Sequence, residues 1–162
     1  MERTKTAFAG FRSGRLTMRD LSRSACQDIV EHLGVTRASV WTFTPQQDAI
    51  EALALLDKRT GGFEDGAVLR ESDFEPYFRA IRKERFVLAP DAATHPATQC
   101  FNTGYFGPND IRSLLDYIIY GKDQPIAILC CEHCGEIREW SGKDMNYLHG
   151  MALTIGIAFE RS

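Results

Sequence analysis

The sequence predicts an α+β domain built on a central antiparallel sheet of five or six strands. Terminal helices lie on one face of that sheet, and a middle helix with loops lies on the other. Three observations carry this prediction. Strand-like runs come in pairs joined by short polar turns, as antiparallel neighbours do. Helical periodicity is confined to the two ends and one central stretch. The two runs Ile111–Tyr120 and Pro125–Glu132 are apolar on both faces, so both faces of the sheet need cover.

Residues 1–16 show no clear pattern and read as an N-terminal arm; residues 17–162 form the single domain. From Thr17 onward, Leu21, Ala25, Ile29 and Leu33 recur at helical spacing, with Thr17 three before Asp20 as a cap and Gly34 as the stop. Arg37–Thr44 is β-branched and aromatic and ends at Pro45. Ala49–Leu56 (AIEALALL) has helical propensity, but its place after a tight turn makes it the second arm of a hairpin. Thr60-Gly61-Gly62 reads as a loop, and Val68-Leu69 as a short strand. Ser72 opens a capped helix with Pro76 in its first turn, where proline is tolerated. Phe86–Ala89 is a strand closed by Pro90. Asp91 heads a helical turn, and Asn102–Asp110 is a Gly/Pro/Asn loop. The paired apolar runs follow, split by Gly121–Gln124. Ser141 and Asp144 then cap a final helix carrying Leu148, Met151, Ala152, Ile155 and Phe159.

At 162 residues with 44% apolar and 25% charged side chains, the chain suits one folded domain rather than a disordered one. A net charge of −3 with no basic block excludes a nucleic-acid footprint. No apolar run reaches the ~18 residues that a membrane span needs. The five cysteines are odd in number and irregular in spacing, which suits reduced cytoplasmic thiols better than a disulfide framework. No P-loop, dinucleotide fingerprint or nucleophile–base pair is present, so nothing demands an enzyme.

Asp116 and Glu132 interrupt the apolar hairpin, and charges inside a two-faced core strand must be paired or used. Period-two alternation groups Leu114, Asp116 and Ile118 on one face, and Ile128, Cys130 and Glu132 on one face of the next strand. Hairpin register decides whether the two sets share a face.

The combination of Ser113-Leu-Leu-Asp116, Ile128-Leu-Cys-Cys-Glu-His133, Gly135, Arg138, Trp140-Ser141, Asp144 and Leu148 resembles the C-terminal half of a GAF domain. Val35–Phe43 is similar to that family's first strand, and Ala89–Thr98 to its segment after the third. The resemblance spans residues 17–162. GAF domains are small-molecule-sensing modules of sensor kinases, diguanylate cyclases and phytochromes. The resemblance therefore implies a regulatory function in signal transduction and a ligand pocket under the middle helix and the loop before the fourth strand. It also implies an output domain or partner such as a histidine kinase of a two-component system, and the apolar seams on the first and last helices predict a homodimer packed through them.

The resemblance puts both alternating sets in the pocket, with Asp116 and Glu132 near-diagonal neighbours. The candidate ligand residues are Trp41, Phe43, Tyr77, Asp91, Tyr105, Leu114, Asp116, Cys130 and Glu132. Two carboxylates beside a Trp suit a cationic ligand. The competing account is that Asp116 and Glu132 are paired by Arg or Lys from the covering loops. Subtypes differ in detail. Glu132-His133 replace the Asn-Lys pair of cyclic-nucleotide members, and Cys100 precedes Phe101 where bilin members have His. No cofactor follows from this. Cys131-x-x-Cys134 offers a metal only two ligands, so no metal site is expected. A thiol-based redox or metal sensor, a sulfoxide reductase and a ligand-free dimerisation module stand as alternatives.

Overall fold

A computed structural model describes all 162 residues. Its strands form one antiparallel sheet. The strands are β1 (Arg37–Phe43), β2 (Ala49–Asp57), β3 (Gly62–Glu64), β4 (Val68–Arg70), β5 (Phe86–Ala89), β6 (Ile111–Tyr120) and β7 (Pro125–Cys134). Their order is β3-β2-β1-β7-β6-β5, with β4 also pairing to β2. The sheet has seven strands rather than five or six. The extra one, β3, pairs Gly62–Glu64 with the end of β2, and the adjacent glycines Gly61 and Gly62 hid it.

The helices are α1 (Glu2–Arg12), α2 (Met18–Leu33), α3 (Glu75–Ile81), the single turn α4 (Gly107–Asn109) and α5 (Gly142–Glu160). Both long helices open on a capping box, Thr17 with Asp20 and Ser141 with Asp144. Gly34 ends α2 in the left-handed region at φ 69°. The first residues form a helix, α1, whose buried face is Thr4, Ala7 and Gly10. Those small side chains allow close approach to α2 and carry no hydrophobic period to notice. The Thr4 amide and hydroxyl both donate to the buried Asp28, at 2.9 and 2.7 Å.

Ser72 does not cap a helix. Glu71–Asp73 form a 3₁₀ turn, Phe74 breaks it at φ −137°, and α3 starts at Glu75 with Pro76 in its first turn. Asn102–Phe106, expected as loop, is a turn of π-helix that runs into α4.

The sheet separates two cores. On one side α1, α2 and α5 pack on Ala38, Val40, Leu115, Tyr117, Leu129 and Cys131. On the other, α3 and the stretch from Ala92 to Phe106 pack on Trp41, Ile50, Leu114, Ile118, Ile128 and Cys130. β2 serves both cores through a bulge. Val40 pairs with Ala54 and Trp41 with Ala52, which leaves Leu53 as the extra residue. Ile50 and Ala52 therefore face the second core, while Ala54 and Leu56 face the first.

Candidate functional site

Three central strands present alternate residues to the second core. From β1 come Arg37, Ser39 and Trp41; from β7, Ile128, Cys130 and Glu132; from β6, Leu114, Asp116 and Ile118. The register sets Glu132 between Arg37 and Leu114, and Cys130 between Ser39 and Asp116. Asp116 and Glu132 thus share a face as diagonal neighbours, a spacing of about 7–8 Å or somewhat less. Above them Tyr77 descends from α3, and Phe101 and Tyr105 come from the covering segment.

A cavity of about 20 Å³ remains between these layers. It is lined by Trp41, Ile50, Leu69, Tyr77, Phe101, Tyr105, Leu114, Asp116, Cys130 and Glu132. That volume holds one water-sized group. Seven of the nine candidate ligand residues meet here: Trp41, Tyr77, Tyr105, Leu114, Asp116, Cys130 and Glu132. Phe43 and Asp91 stand outside. Phe43 packs edge-on against Phe78, with Arg82 over its ring. Asp91 starts a turn, its carbonyl accepting from the Thr94 and His95 amides.

The two carboxylates have different surroundings. Glu132 accepts from Arg37 Nε at 3.0 Å and from the Tyr105 hydroxyl at 3.1 Å. Arg37, itself buried, also donates to Asp57 at 3.1 Å, to Asn109 Oδ1 at 3.3 Å and to Tyr105 at 3.2 Å. Burial raises the Glu132 carboxyl above its usual range, and Arg37 opposes that rise. Burial also works against the Arg37 charge, but Glu132 and Tyr105 more than offset it and keep the guanidinium protonated. Burial works against Asp57 as well, and the bonds from Arg59 hold it below the usual carboxylate value. The account in which arginine pairs a carboxylate therefore describes Glu132. The arginine comes from the first residue of β1 and not from a covering loop. Alternation from Trp41 back through Ser39 to Arg37 was the available signal.

Asp116 has no cation. Its Oδ2 accepts from the Tyr77 hydroxyl at 2.5 Å, and its fully buried Oδ1 has no hydrogen-bond partner. Burial lifts its carboxyl to about 7. Hydrogen bonding from the Cys130 thiol, a weak donor, and from the Tyr77 hydroxyl lowers it, and the nearby charge of Glu132 raises it. It is the one lining side chain with a completely buried, unpartnered polar atom.

The covering segment is tied down at one end. Tyr105 and Asn109 both bond Arg37, Asn109 Nδ2 reaches back to the Tyr105 carbonyl, and Arg59 donates to the Asn109 carbonyl at 3.0 Å. The thiols are kept neutral. Burial pushes Cys26 up to about 12 and raises Cys130 and Cys131 well above the ordinary thiol value. Cys131 packs in the helix core, whereas Cys134 packs against the pocket core. No group of three or more His, Cys, Asp or Glu is placed to hold a metal ion. His95 accepts from the Ala97 amide at 3.0 Å and closes its own turn.

Comparison with known proteins agrees with this architecture. No curated protein matches the sequence. The phycoerythrobilin-bound GAF domain of a cyanobacterial phytochrome is similar in structure, with TM-score 0.78 and 17% identity over 98% of this chain and 92% of that one. The PixJ GAF domain of Thermosynechococcus elongatus in its blue-light-absorbing form gives 0.75 and 18%, over 94% and 88%. Residues 122 to 287 of a methyl-accepting chemotaxis protein give 0.76 and 14%, over 99% and 94%. At such identities these likenesses show the fold alone. The sequence profile of the GAF domain matches residues 17–159, nearly the whole chain. The chain belongs to the GAF domain family.

Proposed function

We propose that this domain is a regulatory sensory module in signal transduction. It binds a small molecule between the sheet and the covering segment and passes the change to an output domain or partner. The observation that carries this is the unpartnered carboxyl oxygen of Asp116 in an aromatic-lined cavity. A buried polar group without a partner costs about 1–3 kcal/mol, and a ligand that bonds it recovers that cost. Membership of the GAF family, whose domains are small-molecule-sensing modules, supports the same role.

Entry requires the covering segment to lift, because the closed cavity holds one water-sized group. A linear tetrapyrrole is far larger, and the half-buried Cys100 Sγ contacts the Ala97 carbonyl at 3.8 Å. The proposed contact set is Trp41, Tyr77, Tyr105, Leu114, Asp116, Cys130 and Glu132. Within it Glu132 acts mainly through its ion pair with Arg37. No catalytic step is assigned. The five unpaired cysteines suit the reducing cytoplasm, and no helix is long and apolar enough to cross a membrane.

Native mass spectrometry of the purified protein, followed by metabolite extraction, tests the reading. A bound metabolite lost in Asp116→Asn supports it. A bare chain that no compound in a thermal-shift library stabilises refutes it. The small cavity favours a second reading, a ligand-free GAF domain that serves as a dimerisation module. Leu153 and Ile157, 59% and 44% exposed on α5, give that dimer an apolar seam through the terminal helices. Light scattering that shows a monomer at high concentration counts against it.

A further inference from the structure

Resting on the reading that this pocket takes a small molecule, we propose that its ligand is an organic monocation carrying an ammonium-type N–H, and that the cation enters in exchange for the proton of Asp116.

The charges of the site support this. Arg37 and Arg59 are matched by Asp57 and Glu132, each pair in direct contact. Asp116 is left over. Of the elements packed on it, α3 offers the Tyr77 hydroxyl, β7 offers the Cys130 thiol and the Glu132 carboxylate, and β5 sets Val87 opposite. From β1 the Arg37 guanidinium is committed to Glu132 and Asp57, and from the covering segment the Tyr105 hydroxyl is committed to Glu132. None supplies Asp116 with a positive charge, so its carboxyl keeps a proton near neutrality. Ion exchange leaves the net charge of the pocket unchanged. Asp116–CO₂H and R–NH₃⁺ give the ion pair Asp116–CO₂⁻···⁺H₃N–R and one free H⁺, with no redox change.

The walls select for the same ligand. Trp41 donates its indole N–H to Ser39 Oγ at 2.8 Å, and both tyrosine hydroxyls are already bonded. Trp41, Tyr77, Phe101 and Tyr105 therefore offer mainly ring surface, which attracts a desolvated cation. Ile50, Leu69 and Leu114 suit a hydrocarbon stem. An anion would meet two carboxyl groups. A bare alkali ion would find too few free oxygens for its shell.

The test uses n-alkylammonium chlorides from ethyl to butyl, the uncharged alcohols of matching length, and KCl at equal ionic strength. Calorimetry of the wild-type protein in buffers of different ionisation heat counts protons released, and ¹³Cγ NMR follows Asp116 directly. Expected are close to one proton released per butylammonium at pH 6, movement of the Asp116 resonance to its ionised position, and affinity rising about tenfold from pH 6 to pH 8. Asp116→Asn removes the pH dependence and weakens binding at least tenfold at pH 8. Because the proton count is made on wild type, poor folding of the variant leaves the test intact. Amine binding without proton release overturns the proposal. Alcohols that bind as tightly as amines overturn it while leaving the sensory reading in place. If neither series disturbs the Trp41 indole or Asp116 signals, and no metabolite co-purifies, both fall.

Discussion

Replacing Asp116 by Asn should change how stability depends on pH. Asp116 titrates near 7 in the folded protein, against 3.8 for a free aspartate. Between those values the folded state binds more protons than the unfolded state, so stability falls as pH rises. The full span is about three pH units at 1.36 kcal/mol each, roughly 4 kcal/mol, of which about 2.5 kcal/mol lies between pH 5 and 8. The loss levels off above pH 7, where the carboxyl is ionised in both states. Asn keeps the acceptor for Tyr77 and has no proton to lose, so the variant lacks this slope. Urea unfolding of both proteins at half-unit steps from pH 5 to pH 8 gives the difference directly, since other titrating groups are common to both. The two should converge toward acid, with the Asp116→Asn variant increasingly favoured toward pH 8. Parallel curves would refute the account of Asp116 as an unpaired buried carboxyl.

Three other outcomes follow from the same geometry. Arg37→Met leaves Glu132 and Asp57 buried without their shared partner and should cost about 3–5 kcal/mol in chemical unfolding; a loss under about 1 kcal/mol would deny Arg37 its place at the centre of the network. Tyr105→Phe removes bonds to Arg37 and Glu132, so about 1–2 kcal/mol of stability should go, with faster amide exchange across residues 99–109 and little change in α2. In thiol titration of the native protein, Cys134 and Cys100 should react first, and Cys26, Cys130 and Cys131 only on unfolding; early labelling of Cys130 would revive a thiol-based sensor.

Much of this architecture was legible in the chain because its signals are local. Thr17, Gly34 and Ser141 mark helix ends by capping chemistry, and the two-faced apolar runs mark β6 and β7 as central strands. Five pocket residues, Trp41, Leu114, Asp116, Cys130 and Glu132, followed from alternation together with the family resemblance, and Tyr77 and Tyr105 from the aromatics expected at the pocket mouth. What escaped depends on partners distant in sequence. Arg37 meets Glu132 across 95 residues, and only its alternation with Ser39 and Trp41 hints that this charged strand residue faces the pocket. Ile50 reaches the pocket only because Leu53 bulges, which scrambles the alternation of AIEALALL. α1 lacked a hydrophobic stripe because its buried face is made of small residues. The π-helical turn at Asn102–Phe106 has no sequence period of its own.

The sheet that divides the two cores behaves as a diaphragm. Asp116 and Cys130 press on it from the pocket, while their chain neighbours Leu115 and Cys131 press from the helix layer. Close-packed interiors have little slack. Any part of a guest's volume that the lifted cover does not admit would bow β6 and β7, and that bow would drive Leu115, Leu129 and Cys131 toward α2 and α5. Coupling of the pocket to the helices then needs no lever reaching around the fold. A single layer of strands separates the pocket from the helices that frame the two ends of the domain.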